Sequence, residues 1–366
     1  MSEELENLET LEEQDIDSLV EVGLRAIDTT FFKRNIRKIR AYTQRLTTKE
    51  FNDIFLGIRN QRFTFYYYGR ELLTLDFSNG DINDFIIQTR GEFGNNEELN
   101  NKLKEIVSNI PLVKNYGMSK TTKDFSKSKK SGHYIIKTSE LKGYSNMEVC
   151  MYLLKELKEL MKLRYPKGIT SELQVQGEYM TKYDFTNNKF KDLYMIDMEF
   201  ILAKGVKEKV KCQVEGRYDM IGLTQVEGDK YKLVFIELKS KRDAIKNKTS
   251  GINNHIDDMD TFLSIYNNKD MELKNLLVSN IKSIIELKSE KNLKLFKGLD
   301  IDNIDFDNPE FWLLFDMVDN TKVDTIEDIK KIINADIHNM EKSNTTLRFF
   351  KGHVRNTNDD FIEEIY

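Results

Sequence analysis

The nine residues Tyr231–Lys239, YKLVFIELK, restrict the possible folds of this chain more than any other stretch. They are apolar at nearly every position, on both alternating faces, and a strand of that kind belongs inside a sheet covered on both sides. Yet the run closes on Glu237-Leu238-Lys239. Side chains alternate along a strand, so Glu237 and Lys239 point to the same side. Upstream, residues 211–223 read as a second strand, joined through Val226-Glu227-Gly228-Asp229, where Gly and Asp suit turn dihedrals. A turn centred near 227–228 sets Asp219 antiparallel to positions 235–237. One carboxylate from each strand and one ammonium are therefore expected to converge at one rim of the sheet.

Charges withdrawn from water are costly unless they are paired or bind a metal. Two adjacent carboxylates repel, and a divalent cation relieves the repulsion by taking their oxygens as ligands. A cation on Asp219, Glu237 and a strand carbonyl would keep positions open for water and a phosphate oxygen. Metal coordination lowers the pKa of such a water, and Lys239 would orient it or stabilise its hydroxide. The residues thus suit phosphodiester hydrolysis.

The order Gly216-Arg217-Tyr218-Asp219, hairpin, Glu237-Leu238-Lys239 resembles the PD-(D/E)xK, or restriction-endonuclease-like, nuclease superfamily. Tyr218 stands where that family often carries a proline. The resemblance covers roughly residues 145–320. It implies an α/β fold with an αβββαβ core on a mixed central sheet, Asp219 and Glu237 as metal ligands, and Lys239 as the catalytic lysine. It further implies Mg²⁺ as cofactor, with Mn²⁺ as a substitute. The superfamily often takes an extra acid from its first helix. In SNMEVCMYLLKELKELMKLRYP that acid is Glu156, at the edge of the stripe Cys150, Leu153, Leu154, Leu157, Leu160 and Met161. Ser145 caps this helix three residues before Glu148.

A chain of 366 residues exceeds the usual single core, so two domains are expected. The expected division is an α+β accessory domain over 1–135 and a nuclease domain over 136–366. The boundary follows MSKTTKDFSKSKKSG, a lysine-rich linker over 118–132. Within the accessory domain, residues 1–18 form an acidic lead-in. RFTFYYYGRELLTLDF reads as a hairpin turning at Gly69-Arg70, and Asn96–Ile110 reads as a helix ending before Pro111. In the second domain, Leu173–Tyr183 and Leu193–Ala203 read as strands and residues 251–266 as a helix with Ile252, Ile256, Met259, Leu263 and Tyr266 on one stripe. A helix over 271–295, a strand at 311–315, a helix over 324–340 and a strand at 346–350 complete the series.

The net charge of −5 does not advertise a nucleic-acid partner, but the sign is uneven. The first twenty residues carry eight acids and no base, which leaves the rest net positive. Arg34, Arg37, Lys38 and Arg45 follow helical spacing, a cationic stripe suited to phosphates. Lys241, Arg242, Lys246 and Lys248 flank the acid pair, and with Arg217 they are the expected backbone contacts. His255, bordering the apolar stripe of its helix, is expected to reach the scissile phosphate.

Two cysteines and four scattered histidines supply neither a zinc spacing nor a disulfide framework. No apolar run reaches 18 residues, and the acidic start is unlike a secretory leader. The expectation is a cytoplasmic protein with no membrane partner. No Walker A sequence occurs, so an ATP-driven step would need another subunit.

The resemblance implies a Mg²⁺-dependent endonuclease acting on DNA. A domain of this kind joined to an unrelated module resembles bacterial restriction or antiviral-defence effectors, with a homo-oligomer or a partner defence subunit implied. The alternatives are a catalytically inactive member serving nucleic-acid binding or assembly, and an RNA-cleaving nuclease. The site chemistry needs no 2′-OH and does not choose between polymers.

Overall fold

The computed structural model describes residues 37, 41, 42, 45, 48–59, 62–77, 82, 84–88, 96–110, 133–141, 145–166, 171–184, 192–201, 217–241, 251–268, 273–288, 299–316, 326–336, 346–352 and 362–365. Its contacts divide the chain into two units, one of residues 28–187 and one built on 188–366.

The first unit is an antiparallel five-stranded sheet in the order β1 (Phe55–Arg59), β2 (Arg62–Tyr67), β3 (Arg70–Asp76), β4 (Asp84–Gln88), β5 (His133–Lys137). Helices α1 (Glu97–Ser108), α2 (Asn146–Arg164) and α3 (Glu172–Lys182) belong with it. The β2–β3 turn is Tyr68-Gly69 rather than Gly69-Arg70, with both residues at positive φ, 52° and 71°. Such dihedrals twist a two-residue hairpin in the sense its strands require. Gly69 is also needed for space, because a Cβ there would stand 1.9 Å from the Leu173 carbonyl oxygen at the start of α3.

Two expectations are corrected here. Leu173–Tyr183 is not a strand but helix α3. Ser171 accepts from the Gln174 amide while the Gln174 side chain returns to the Ser171 amide, a capping box that nucleates a helix whatever the β-propensity beyond it. The boundary falls at 187/188 rather than near 135. Helix α2, expected to open the second domain, buries its Cys150, Leu153, Leu154, Leu157, Leu160 and Met161 stripe in the first unit, against β2, β3 and α1. It is pinned there by Lys158, whose Nζ donates at 2.6 Å both to Asp53 Oδ1 and to the Glu50 carbonyl. The predicted Ser145–Glu148 capping box is present.

The second unit holds a mixed six-stranded sheet in the order β11-β10-β9-β8-β7-β6. Strands β6 (Leu193–Ile201), β7 (Arg217–Glu227) and β8 (Lys230–Lys239) form an antiparallel meander. Helices α4 (Ile252–Tyr266) and α5 (Leu273–Lys288) then carry the chain to β9 (Ile304–Phe315), parallel to β8. Helix α6 (Ile326–Asp336) leads to β10 (Thr346–Gly352), parallel to β9, and β11 (Ile362–Glu364) closes the edge antiparallel to β10. The protein is therefore mixed α/β, with one mixed and one antiparallel sheet. The strand and helix order from β6 to β9 follows the tail of the expected αβββαβ series. The helix expected to lead that series, α2, lies in the other unit.

Strand β8 is as buried as its composition demands, with Leu233, Val234, Phe235, Ile236 and Leu238 all at 0% exposure. Phe235 stacks on Phe311 of β9 at 5.4 Å and meets Phe262 of α4 edge-on at 4.8 Å. Each such buried ring contributes about 1.5–3 kcal/mol, plus about 0.5–1.5 kcal/mol per aromatic pair. This aromatic layer fixes α4 over β8, and so decides which α4 side chains meet the end of that strand.

Candidate functional site

The β7–β8 ladder runs from the turn, where Gly228 has φ of 55°, to the pair Met220↔Ile236. One residue further, the Leu238 N–H donates to Asp219 Oδ2 at 2.8 Å. A strand amide points along the sheet, so this carboxylate occupies the seam where the ladder has ended, in the place of a backbone acceptor. The amide and carbonyl of one strand residue point to the same side, so the Leu238 carbonyl faces that seam too. Tyr218, the residue before, lays its ring against Phe235, Phe262 and Phe311 on the α4 side.

Glu237 and Lys239 are 4% and 5% exposed, and Lys239 Nζ lies 2.5 Å from Glu237 Oε1. His255, in the first turn of α4, brings Nε2 to 3.0 Å from the same Oε1 and 3.4 Å from Lys239 Nζ. Glu237, Lys239 and His255 thus form one buried cluster, and Asp219 joins it through the intervening Leu238 peptide. An ion pair this dry costs several kcal/mol per ion in desolvation, which close hydrogen bonding offsets.

The donor set fits a hard divalent cation: carboxylates on adjacent strands with a strand carbonyl between them, leaving positions for water. Among the described residues there is no group of three or more His, Cys, Asp or Glu able to hold a metal. A cation here would depend on the two acids, the Leu238 carbonyl and solvent. The extra acid expected from the first helix, Glu156, is half-buried on α2 in the other unit.

His255 turns its Nε2 to Glu237 and Lys239, where the sequence suggested a phosphate contact. Lys241, just past β8, is exposed. Arg217 pairs with Ile201 in the backbone register of β6 and β7, and Arg37 is exposed. Arg34, Lys38, Arg242, Lys246 and Lys248 lie outside the described residues, as do the acidic segment 1–18 and the linker 118–132.

Three further polar residues are buried here. Ser240 follows Lys239 at 0% exposure, Asp258 lies on α4 one turn after His255 at 6%, and Asp316 ends β9 at 2%. The Asp316 N–H donates to the Lys239 carbonyl at 3.1 Å, so β9 stays zipped to β8 up to the cluster. The signal for Asp316 was available: the apolar run Phe311–Phe315 closes on an acid, much as Tyr231–Ile236 does.

The chain matches no protein-family model, no curated protein and no solved structure. Among the described residues no helix is long and apolar enough to cross a membrane. What the site can do therefore rests on its own geometry.

Proposed function

We propose that this chain is a divalent-metal-dependent phosphodiester hydrolase of the PD-(D/E)xK kind, an endonuclease acting on DNA. One observation carries the reading. At the end of a strand buried on both faces, Glu237 and Lys239 are kept charged and dry, and Asp219 is fixed on the very next amide.

Asp219, Glu237 and the Leu238 carbonyl would hold Mg²⁺, or Mn²⁺ in its place. When bound, that ion acidifies a water and offsets charge on the phosphate. Lys239 carries three donors, and its contact with Glu237 uses one. It orients the attacking water and stabilises the hydroxide form. Lys241, exposed beside the strand end, meets a neighbouring phosphate of the backbone. Water adds to phosphorus in line with the departing sugar oxygen, leaving a phosphate monoester and a hydroxyl.

A second reading, a nuclease fold kept only for nucleic-acid binding or assembly, draws on one feature. Glu237 is already countered within the protein by Lys239. A single panel separates the two. Plasmid DNA, single-stranded DNA and RNA are incubated with wild type and Glu237→Gln, in Mg²⁺, Mn²⁺ or EDTA. Cleavage that needs the metal and is lost in the variant supports the hydrolase and names the polymer. Retention of nucleic acid with no cleavage of any polymer supports the binding protein.

A further inference from the structure

The cluster contains one assignment that follows from hydrogen-bond chemistry alone. An ionised carboxylate only accepts, and an ammonium only donates. His255 Nε2 sits 3.0 Å from Glu237 Oε1, so the bond between them requires the proton on Nε2. The same nitrogen is 3.4 Å from Lys239 Nζ, a contact that cannot be a bond from ammonium to ring once Nε2 carries hydrogen. Two donors therefore converge on one carboxylate oxygen, one from β8 itself and one from α4. An Nε2–H is neither a metal ligand nor a proton acceptor, so this nitrogen takes no direct part in hydrolysis.

We infer that His255 is the positioning residue of the site: its Nε2–H, anchored by α4, fixes the carboxylate of Glu237 in the orientation that receives the divalent cation. The inference rests on the hydrolase reading for the identity of what Glu237 binds. Lys239 alone would leave Glu237 a hinge, because both groups sit on one strand two residues apart and can swing together. A donor from a separate element removes that freedom. Helix α4 provides it rigidly, since His255 lies on the same helix as Ile256, Met259 and Phe262, all at most 1% exposed against the sheet. Hydrogen bonds to a ligating carboxylate generally govern metal affinity by about 10- to 100-fold.

The test is direct Mn²⁺ binding to the full-length protein, measured by calorimetry or by loss of the free-ion EPR signal, with no nucleic acid present. Gln can place its amide donor where Nε2 stands, whereas Asn is too short and reaches only the Nδ1 position. His255→Gln is expected to bind Mn²⁺ within about 3-fold of wild type, and His255→Asn to bind about 10- to 100-fold more weakly. Both are polar and near isosteric. A purely structural role for the ring would lower thermal stability in both and leave Mn²⁺ affinity unchanged in the folded protein. Equal Mn²⁺ affinity in His255→Asn and wild type overturns the inference while leaving the metal site intact. Wild type that binds no Mn²⁺ overturns the inference together with the hydrolase reading. In the metal-free wild type, ring nitrogen NMR should find the His255 proton on Nε2 and should move on Glu237→Gln; a proton found on Nδ1 alone overturns the assignment by itself.

Discussion

Replacing both members of the Glu237–Lys239 pair should do far less harm than replacing one. The two side chains are 5% and 6% exposed and 2.5 Å apart. Glu237→Leu leaves an ammonium buried without its carboxylate, a loss of about 3–5 kcal/mol. Lys239→Met costs less, about 1–3 kcal/mol, because the carboxylate keeps the His255 donor. In the double variant no lone ion remains. Its cost falls to the stranded His255 N–H, about 1–3 kcal/mol, offset by new apolar burial. The coupling between the two positions is then about 2–3 kcal/mol. For a unit of this size each kcal/mol moves the melting temperature by about 2–4 °C, so Glu237→Leu should melt ~6–20 °C early and the double variant should recover much of that. Chemical denaturation of the four proteins, followed by circular dichroism at fixed ionic strength, reads the cycle. The double variant should be folded and unable to cleave nucleic acid, which would mean that the pair is retained for function at some expense of stability. Additive losses, with the double variant as unstable as the two single changes summed, would refute the account of a buried coupled pair.

The hairpin tip at Gly69 admits no side chain, so Gly69→Ala should destabilise the first unit by about 2–5 kcal/mol through strained φ and the clash with the Leu173 carbonyl, read by thermal melting. The Glu178 carboxyl on α3 is held above its usual pKa, first by burial and further by Asp53, against the opposing pull of Lys182. An acid raised in this way costs the folded state stability above its unfolded pKa. Glu178→Gln should therefore raise the melting temperature at pH 8, and the gain should vanish below the ordinary carboxyl range; a gain independent of pH would contradict this. Reversing Lys241 and Arg242 to Glu should weaken DNA binding and reduce the salt slope by about 1 for each phosphate no longer neutralised, whereas a slope equal to wild type would remove these residues from the interface.

The β7–β8 hairpin was legible because both faces of Tyr231–Lys239 are apolar and Gly228 marks the turn, which also aligned Asp219 with the end of β8. Helix α3 was misread because Val175, Tyr179, Thr181 and Tyr183 favour strands, while the determinant, the Ser171–Gln174 cap, is two residues long. The strand with which α2 and α3 pack could not be read from α2, since an apolar stripe specifies a face and not its partner. Lys158, the one charge within that buried face, was the clue to a local partner in Asp53. Strands β1, β4 and β5 are only five residues each, too short for alternation to stand out. His255 was visible as a polar residue beside an apolar stripe, but its contact with Glu237 depends on the rotation of α4, set by Phe262 and Phe235 from distant parts of the sequence.

Crystals of the protein soaked in Mn²⁺ and measured at the manganese absorption edge address the claim on which the account depends, that the two acids share a cation. The prediction is an anomalous peak within ligand distance of the Asp219 and Glu237 carboxylates and the Leu238 carbonyl, absent from Glu237→Gln. A fully soaked crystal with no peak there, and with Lys239 still seated on Glu237, would contradict it.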